Sequence, residues 1–149
     1  FFKQKTAYEI VDCDWSSDVC SSDLGRVLIG WIFVSSGFRK LMDIPAFVAT
    51  MPRRDLPEFL GYIAPFVEFF GGVLLVAGLA TRYVSLLMLL FMVFATFSSH
   101  RYWSYPEAQQ ANQNSHFWKN VAMTGGIVLL FVTGAGRYAL DAILGRSRS

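Results

Sequence analysis

The two cysteines of this chain, Cys13 and Cys20, both lie within its first 24 residues. From Gly25 onward there is no thiol. That excludes disulfides, cysteine-ligated metals and thiol redox chemistry from the stretch. Histidine is almost as scarce. His100 and His116 stand sixteen residues apart, a spacing that is no ligand signature, so no metal and no histidine-held haem is expected. A phosphate-cradling glycine loop and a nucleophile elbow are also missing. Charged residues make up 16% of the chain against 54% hydrophobic ones, and they are absent from long stretches of it.

Residues 1–24 differ from everything after them, being polar and aperiodic. Lys3–Ile10 and Asp14–Leu24 match, in one frame, the translation of the two constant halves of a sequencing adapter, with room for a barcode between them. The segment 1–24 is therefore read as adapter-derived, not native. Gly25–Ser149 then carries eleven Lys and Arg against six Asp and Glu, a formal charge of +5, where the whole chain has +2. On this reading the native start of the first apolar segment is missing.

Four apolar segments follow, at about 25–41, 59–80, 83–99 and 117–135. Crossing a bilayer takes roughly 20 apolar residues. Four such runs in so short a chain leave too little polar surface to clothe a soluble domain. The expected fold is all-α: an integral-membrane, four-helix up-down-up-down bundle over residues 25–146, with a tail at 147–149. The link Thr81-Arg82 is so short that the second and third spans must be antiparallel neighbours. Pro65 either kinks the second span or marks a helix starting there, which would put Glu68 in a first turn. Arg26 stands at one end of the first segment, and Arg39 and Lys40 at the other. Lys/Arg counting gives five on the side of the termini and six on the other, which does not decide orientation. Tyr102, Trp103, Tyr105, Phe117 and Trp118 suit the headgroup layer.

Glu68 is the one charge inside the second apolar run. An ionisable group at that depth costs about 2.5–3.5 kcal/mol on insertion scales and faces a partner or a cavity. Gly61, Ala64, Glu68, Gly71, Gly72, Leu75 and Gly78 recur at three- and four-residue steps, so they share one side of a helix. Small residues there admit a neighbouring backbone. Gly37, Gly71, Gly72, Gly78, Gly125 and Gly126 are the expected packing positions. Lys40 or Arg39 is the expected partner of Glu68, although either could reach outward to the surface. Unpaired, Glu68 would be kept protonated by desolvation and be a proton donor. Paired, it could be mere polar glue between helices. The candidate catalytic residues are Glu68, Lys40 and His100. Arg137, Arg146 and Arg148 suit anionic lipid and not nucleic acid.

Several ordered motifs carry a family resemblance. Ser36-Gly37-Phe38-Arg39-Lys40-Leu41 closes the first span. Glu68-Phe69-Phe70-Gly71-Gly72 and Gly78-Leu79-Ala80-Thr81-Arg82 follow, then His100. Phe117-Trp118-Lys119-Asn120, Gly125-Gly126 and Gly134-Ala135-Gly136-Arg137-Tyr138-Ala139-Leu140-Asp141 complete the set. Together they resemble the DoxX family of small bacterial four-span membrane proteins. The resemblance implies a multi-pass protein of the bacterial inner membrane with cytoplasmic termini. It also implies a link to quinone-coupled sulfur oxidation, through membrane subunits of thiosulfate:quinone oxidoreductase. No covalently bound cofactor is implied. A diffusible quinone, a partner redox enzyme or a second copy of the chain would have to complete any redox role, so at most the chain is an oxidoreductase subunit. The other readings are a non-catalytic membrane anchor or envelope component that binds a partner protein, and a small transporter. Resequencing the genomic locus with a different library chemistry should return residues 25–149 without the preceding 24; recovery of the same leading segment would restore it to the protein.

Overall fold

In a computed structural model the chain is described over residues 16–146. Residues 1–15 of the adapter-like segment, and the tail 147–149 with Arg148, lie outside the described residues. Among the described residues all regular structure is helical. Four long helices are α1 (Ser16–Met42), α3 (Glu58–Ala77), α4 (Thr81–Ser99) and α5 (Glu107–Thr133); two short ones are α2 (Ile44–Val48) and α6 (Leu140–Arg146). Single 3-10 turns lie at Pro52–Arg54 and Tyr102–Ser104. Two segments, Glu58–Ala77 and Thr81–Ser104, are long and apolar enough to cross a membrane. Large apolar side chains point outward along the long helices, among them Leu28, Trp31, Phe66, Phe70, Leu90, Leu129 and Val132. Soluble monomers do not expose apolar surface on this scale.

α1 and α3 touch backbone to backbone. A Cβ on Gly72 would stand 2.7 Å from Val34 N and 2.9 Å from Gly30 O, and one on Gly37 would stand 2.6 Å from Phe69 N. Gly71 faces α4 instead, where a Cβ would strike Met88. α5 meets α1 at Gly126, where a Cβ would lie 2.7 Å from Ile29 Cδ1. Gly125 is a correction to the expected packing positions. A Cβ there would meet nothing within 4 Å, because successive helical positions point about 100° apart and only one of the pair can face a neighbour. Phe33, Leu75, Val84, Met88, Met92 and Ile127 fill the space between these helices.

Pro65 does not start a helix. α3 runs through it, so Glu68 lies mid-helix and not in a first turn. The helix ends where Gly78 takes the left-handed conformation (φ 68°). Gly78 N–H donates to Leu75 O at 3.1 Å and Leu79 N–H to Leu74 O at 3.1 Å, the paired bonds of a Schellman ending.

The turn into α4 is held from far along the chain. Ala80, also left-handed (φ 50°), offers α4 no side-chain cap. Asp141 supplies one from the start of α6, accepting from Ala80 N–H at 2.7 Å and Thr81 N–H at 2.8 Å, while its own N–H donates to Gly78 O at 3.0 Å. Arg26 reaches the other side of the same turn. Its Nη1 donates to Leu75 O at 2.8 Å and also to Val76 O. The sequence placed Arg26 at the end of an apolar segment and counted it as a boundary charge. It is instead 2% exposed, because its guanidinium donates to the last carbonyls of α3, whose acceptor capacity the helix does not fill. Asp23, inside the adapter-like segment, pairs with Arg26 at 3.0 Å and accepts from Tyr138 N–H at 3.1 Å.

Burial alone would push the Asp141 carboxyl up, but the N–H groups of Thr81 and Ala80 outweigh it and hold it below the ordinary aspartate range. A carboxylate depressed on folding stabilises the fold above its unfolded value of about 3.9 and loses that contribution as pH falls through the lower folded value. Asp141→Ala should therefore lower the unfolding free energy in mild detergent by about 1 kcal/mol at neutral pH, the usual worth of an N-cap. The gap between variant and parent should begin to narrow below about pH 4 and close once pH passes the lower folded value; a gap independent of pH throughout the acid range would show that Asp141 acts through packing and not through its charge.

Candidate functional site

The contact at Gly37 sets the register between α1 and α3. With Gly37 against the backbone of Phe69, Lys40 lies one turn further along α1 and level with Glu68 of α3. Lys40 Nζ donates to Glu68 Oε2 in an ion pair. The Glu68 side chain is 6% exposed and that of Lys40 31%. The expected partnership thus falls to Lys40, while Arg39 is exposed. Glu68 is not an unpaired acid. Pairing meets the requirement that a charge taken out of water keep a counter-charge.

The pair opens onto a cavity of about 330 Å³ between the helices and the two loops on that side. Ile32, Phe33, Ala64, Phe91, Met92 and Met123 form its apolar wall. Lys40, Arg54, Glu68, His100, His116 and Asn120 form its polar one. All three candidate catalytic residues therefore line one space, although they come from α1, α3 and the end of α4. His100 sits just beyond the last turn of α4, where its Nδ1 lies 2.8 Å from Gln113 Oε1 of α5. With that oxygen accepting, Nδ1 carries the proton and Nε2 keeps its lone pair. The ring of His116 lies 5.3 Å from that of His100, and Lys119 Nζ lies 3.2 Å from His116 Nδ1. Among the described residues no group of three or more His, Cys, Asp or Glu could hold a metal ion.

Three lining residues were not singled out from the sequence. Arg54 enters the sequence reading only within the count of lysines and arginines. Its Nη1 donates to Ser99 Oγ at 3.0 Å, and its guanidinium sits 5.6 Å from the centre of the Phe47 ring, with Lys40 Nζ 5.2 Å from the same centre. Such placement over an aromatic face is attractive when the cation is partly desolvated. Burial pushes the Arg54 guanidinium below its usual range, opposed by Tyr105. Asn120, which the sequence offers only as the last residue of the Phe117-Trp118-Lys119-Asn120 motif, is 8% exposed and lines the cavity. Phe47 belongs to α2, which Asp43 caps by accepting from Ala46 N–H at 3.1 Å. Nothing in the spacing of these residues could bring a loop and three helices together.

The chemistry available here is limited and specific. One carboxylate and one ammonium can share and pass a proton, and a histidine stands near them. Arg54 and Asn120 add hydrogen-bond donors, and the apolar wall would accept a flat or greasy ligand. This mix of apolar lining with a few convergent polar groups is the usual make-up of a small-molecule site.

The comparisons agree with a membrane setting. No solved structure matches the chain. Inner membrane protein YphA of Escherichia coli is 29% identical over 120 residues, covering 79% of this chain and 86% of that protein. Inner membrane protein YqjF of Escherichia coli is 26% identical over 123 residues, covering 83% and 91%. The Bacillus subtilis protein named "Putative oxidoreductase CatD" is 36% identical over 68 residues, 46% of this chain and 51% of that one. The family model DoxX matches residues 22–101, a stretch that contains Lys40, Glu68 and His100. On that match the chain belongs to the DoxX family of membrane proteins.

Proposed function

We propose that this protein is a quinone-linked membrane subunit of a redox system, with the cavity around Lys40 and Glu68 as its quinone site. The observation that carries the reading is that Glu68, Lys40 and His100, from three separate places in the chain, line one cavity that is greasy on one side and proton-active on the other. The name of the Bacillus subtilis relative, an oxidoreductase by designation, is consistent with it. A quinone bound there would carry two electrons and two protons between enzymes. The electrons would come from a partner redox protein. Lys40 donates a hydrogen bond toward the ligand oxygen, Glu68 returns a proton to it, and His100 Nε2 serves as a second exchange point toward the loop side. Proton transfer of this kind needs groups within hydrogen-bond reach of the reacting oxygen.

The reading includes the membrane topology. α1 and α5 cross the bilayer beside α3 and α4, the four helices run up-down-up-down, and both termini lie in the cytoplasm of the bacterial inner membrane. A fluorescent reporter fused after residue 146 should light up, and alkaline phosphatase fused in the loop at 101–106 should be active; the reverse pattern would invert the protein.

The ion pair also supports a second reading. Because Glu68 and Lys40 already satisfy one another, they could serve only to hold α1 to α3 in a non-catalytic anchor that binds a partner protein. Interhelical polar contacts in membranes average about 0.6 kcal/mol, which is little reason to bury an acid. Glu68→Gln separates the readings. As a proton-exchanging group, its loss should leave insertion and stability within about 1 kcal/mol and cut quinone reduction by a reconstituted complex by about a hundredfold or more, the low end of what a general acid or base contributes to rate. Full turnover in that variant, or no quinone reduction with any donor by the parent protein, would leave the anchor.

A further inference from the structure

A second hollow, of about 530 Å³, adjoins the first on the loop side and shares Arg54 and Ser98 with it. Its wall is of another kind. Arg53, Arg54 and Arg101 line it, and Asp55 is the one carboxylate among its lining residues. Asp55 pairs with Arg101 at 3.2 Å, but the Asp55 side chain is 85% exposed, and ion pairs so open to water are weak. Arg54 donates only to the neutral Ser99 hydroxyl and rests over Phe47. Arg53 has no hydrogen bond or ion pair among the described residues. Arg101 Nη2 also reaches Arg54 O at 3.4 Å, which ties the turn at Pro52–Arg54 to the segment after α4.

Three guanidinium groups thus converge on a hollow with one exposed carboxylate to answer them, and one of the three is half-buried. Desolvating a cation is costly unless an opposite charge or a full set of hydrogen bonds compensates it. The planar fork of arginine matches the oxygens of phosphate and carboxylate in paired bonds, which a point-charge lysine does not. We propose that this hollow is an oxyanion site, with Arg53, Arg54 and Arg101 holding a phosphate-type group. The same oxygens are presented by a free inorganic anion and by the headgroup of an anionic phospholipid, and a site at the mouth of a membrane bundle can meet either. The hollow is distinct from the Lys40–Glu68 pair, so the proposal stands whether or not a quinone binds beyond it.

The test uses the full chain purified in non-ionic detergent. Inorganic phosphate is titrated by calorimetry at low salt. In parallel the protein is recovered from nanodiscs of phosphatidylcholine with and without phosphatidylglycerol, and retained lipid is read by native mass spectrometry. Phosphate should bind, and Arg53→Gln with Arg101→Gln should weaken it about a hundredfold, the worth of two charged hydrogen bonds. Retention of phosphatidylglycerol without binding of free phosphate, lost in the same double variant, assigns the site to the lipid headgroup. Arg53→Gln alone replaces an exposed side chain without partners, so it keeps the fold and should weaken binding by itself. Overturning results are that neither probe binds the parent protein, or that both bind the single and double variants as well as the parent.

Discussion

The close approach of α1 to α3 is the constraint on which the rest of the molecule depends. Gly30, Gly37 and Gly72 bring the two backbones into contact, with no room for a methyl group between them. In a lipid setting no hydrophobic force draws one apolar helix to another, so contact must come from fitted surfaces. Glycine supplies that fit by removing the side chain from the interface. The register that results puts Lys40 level with Glu68. Shifting either helix by one residue would rotate the lysine away and leave a carboxylate without its counter-charge.

The two ends of the packed helices solve the same problem in different ways. Helix ends leave backbone N–H and C=O groups unsatisfied, and these are expensive wherever water is thin. At the end that carries the turn from α3 to α4, charged side chains from distant parts of the chain serve as caps. Arg26 covers the last carbonyls of α3, and Asp141 covers the first N–H groups of α4. Arg82 and Arg137 stand exposed beside that turn. At the other end the charges are not consumed by the backbone. Lys40, Arg54, Arg101 and the two histidines instead surround hollows, with Glu68 and the exposed Asp55 to answer them.

Much of the fold was legible in the sequence. Long apolar runs separated by short polar links specify helices, and an acid in the middle of one of them had to find a partner. The short link expected at Thr81-Arg82 lies just before it, at Gly78-Leu79-Ala80, because Asp141 caps Thr81 and so lets α4 begin there. Other features were visible but their purpose was not. The stretches Gly78–Arg82 and Gly134–Asp141 stood out as family markers, yet nothing in them says that each closes on the other. Gly125 and Gly126 looked equivalent, and only the direction of α5 separates the one facing Ile29 from the one facing outward. Arg26 looked like a surface charge because it ends an apolar run; its burial follows from carbonyls some fifty positions away.

The sequence by itself determined that the described chain is helical, that it is apolar on its outside, and that Glu68 could not stand alone. Those conclusions follow from composition and periodicity, which act over a few residues and need no knowledge of neighbours. Tertiary structure decided which cation meets Glu68, and that His100, Arg54 and Asn120 share a cavity with the pair. It also decided that Asp141 caps a helix sixty residues before it. Each of these depends on the angle and register at which helices pack. That geometry is set by the summed contacts of whole surfaces, and no local spacing of residues encodes it.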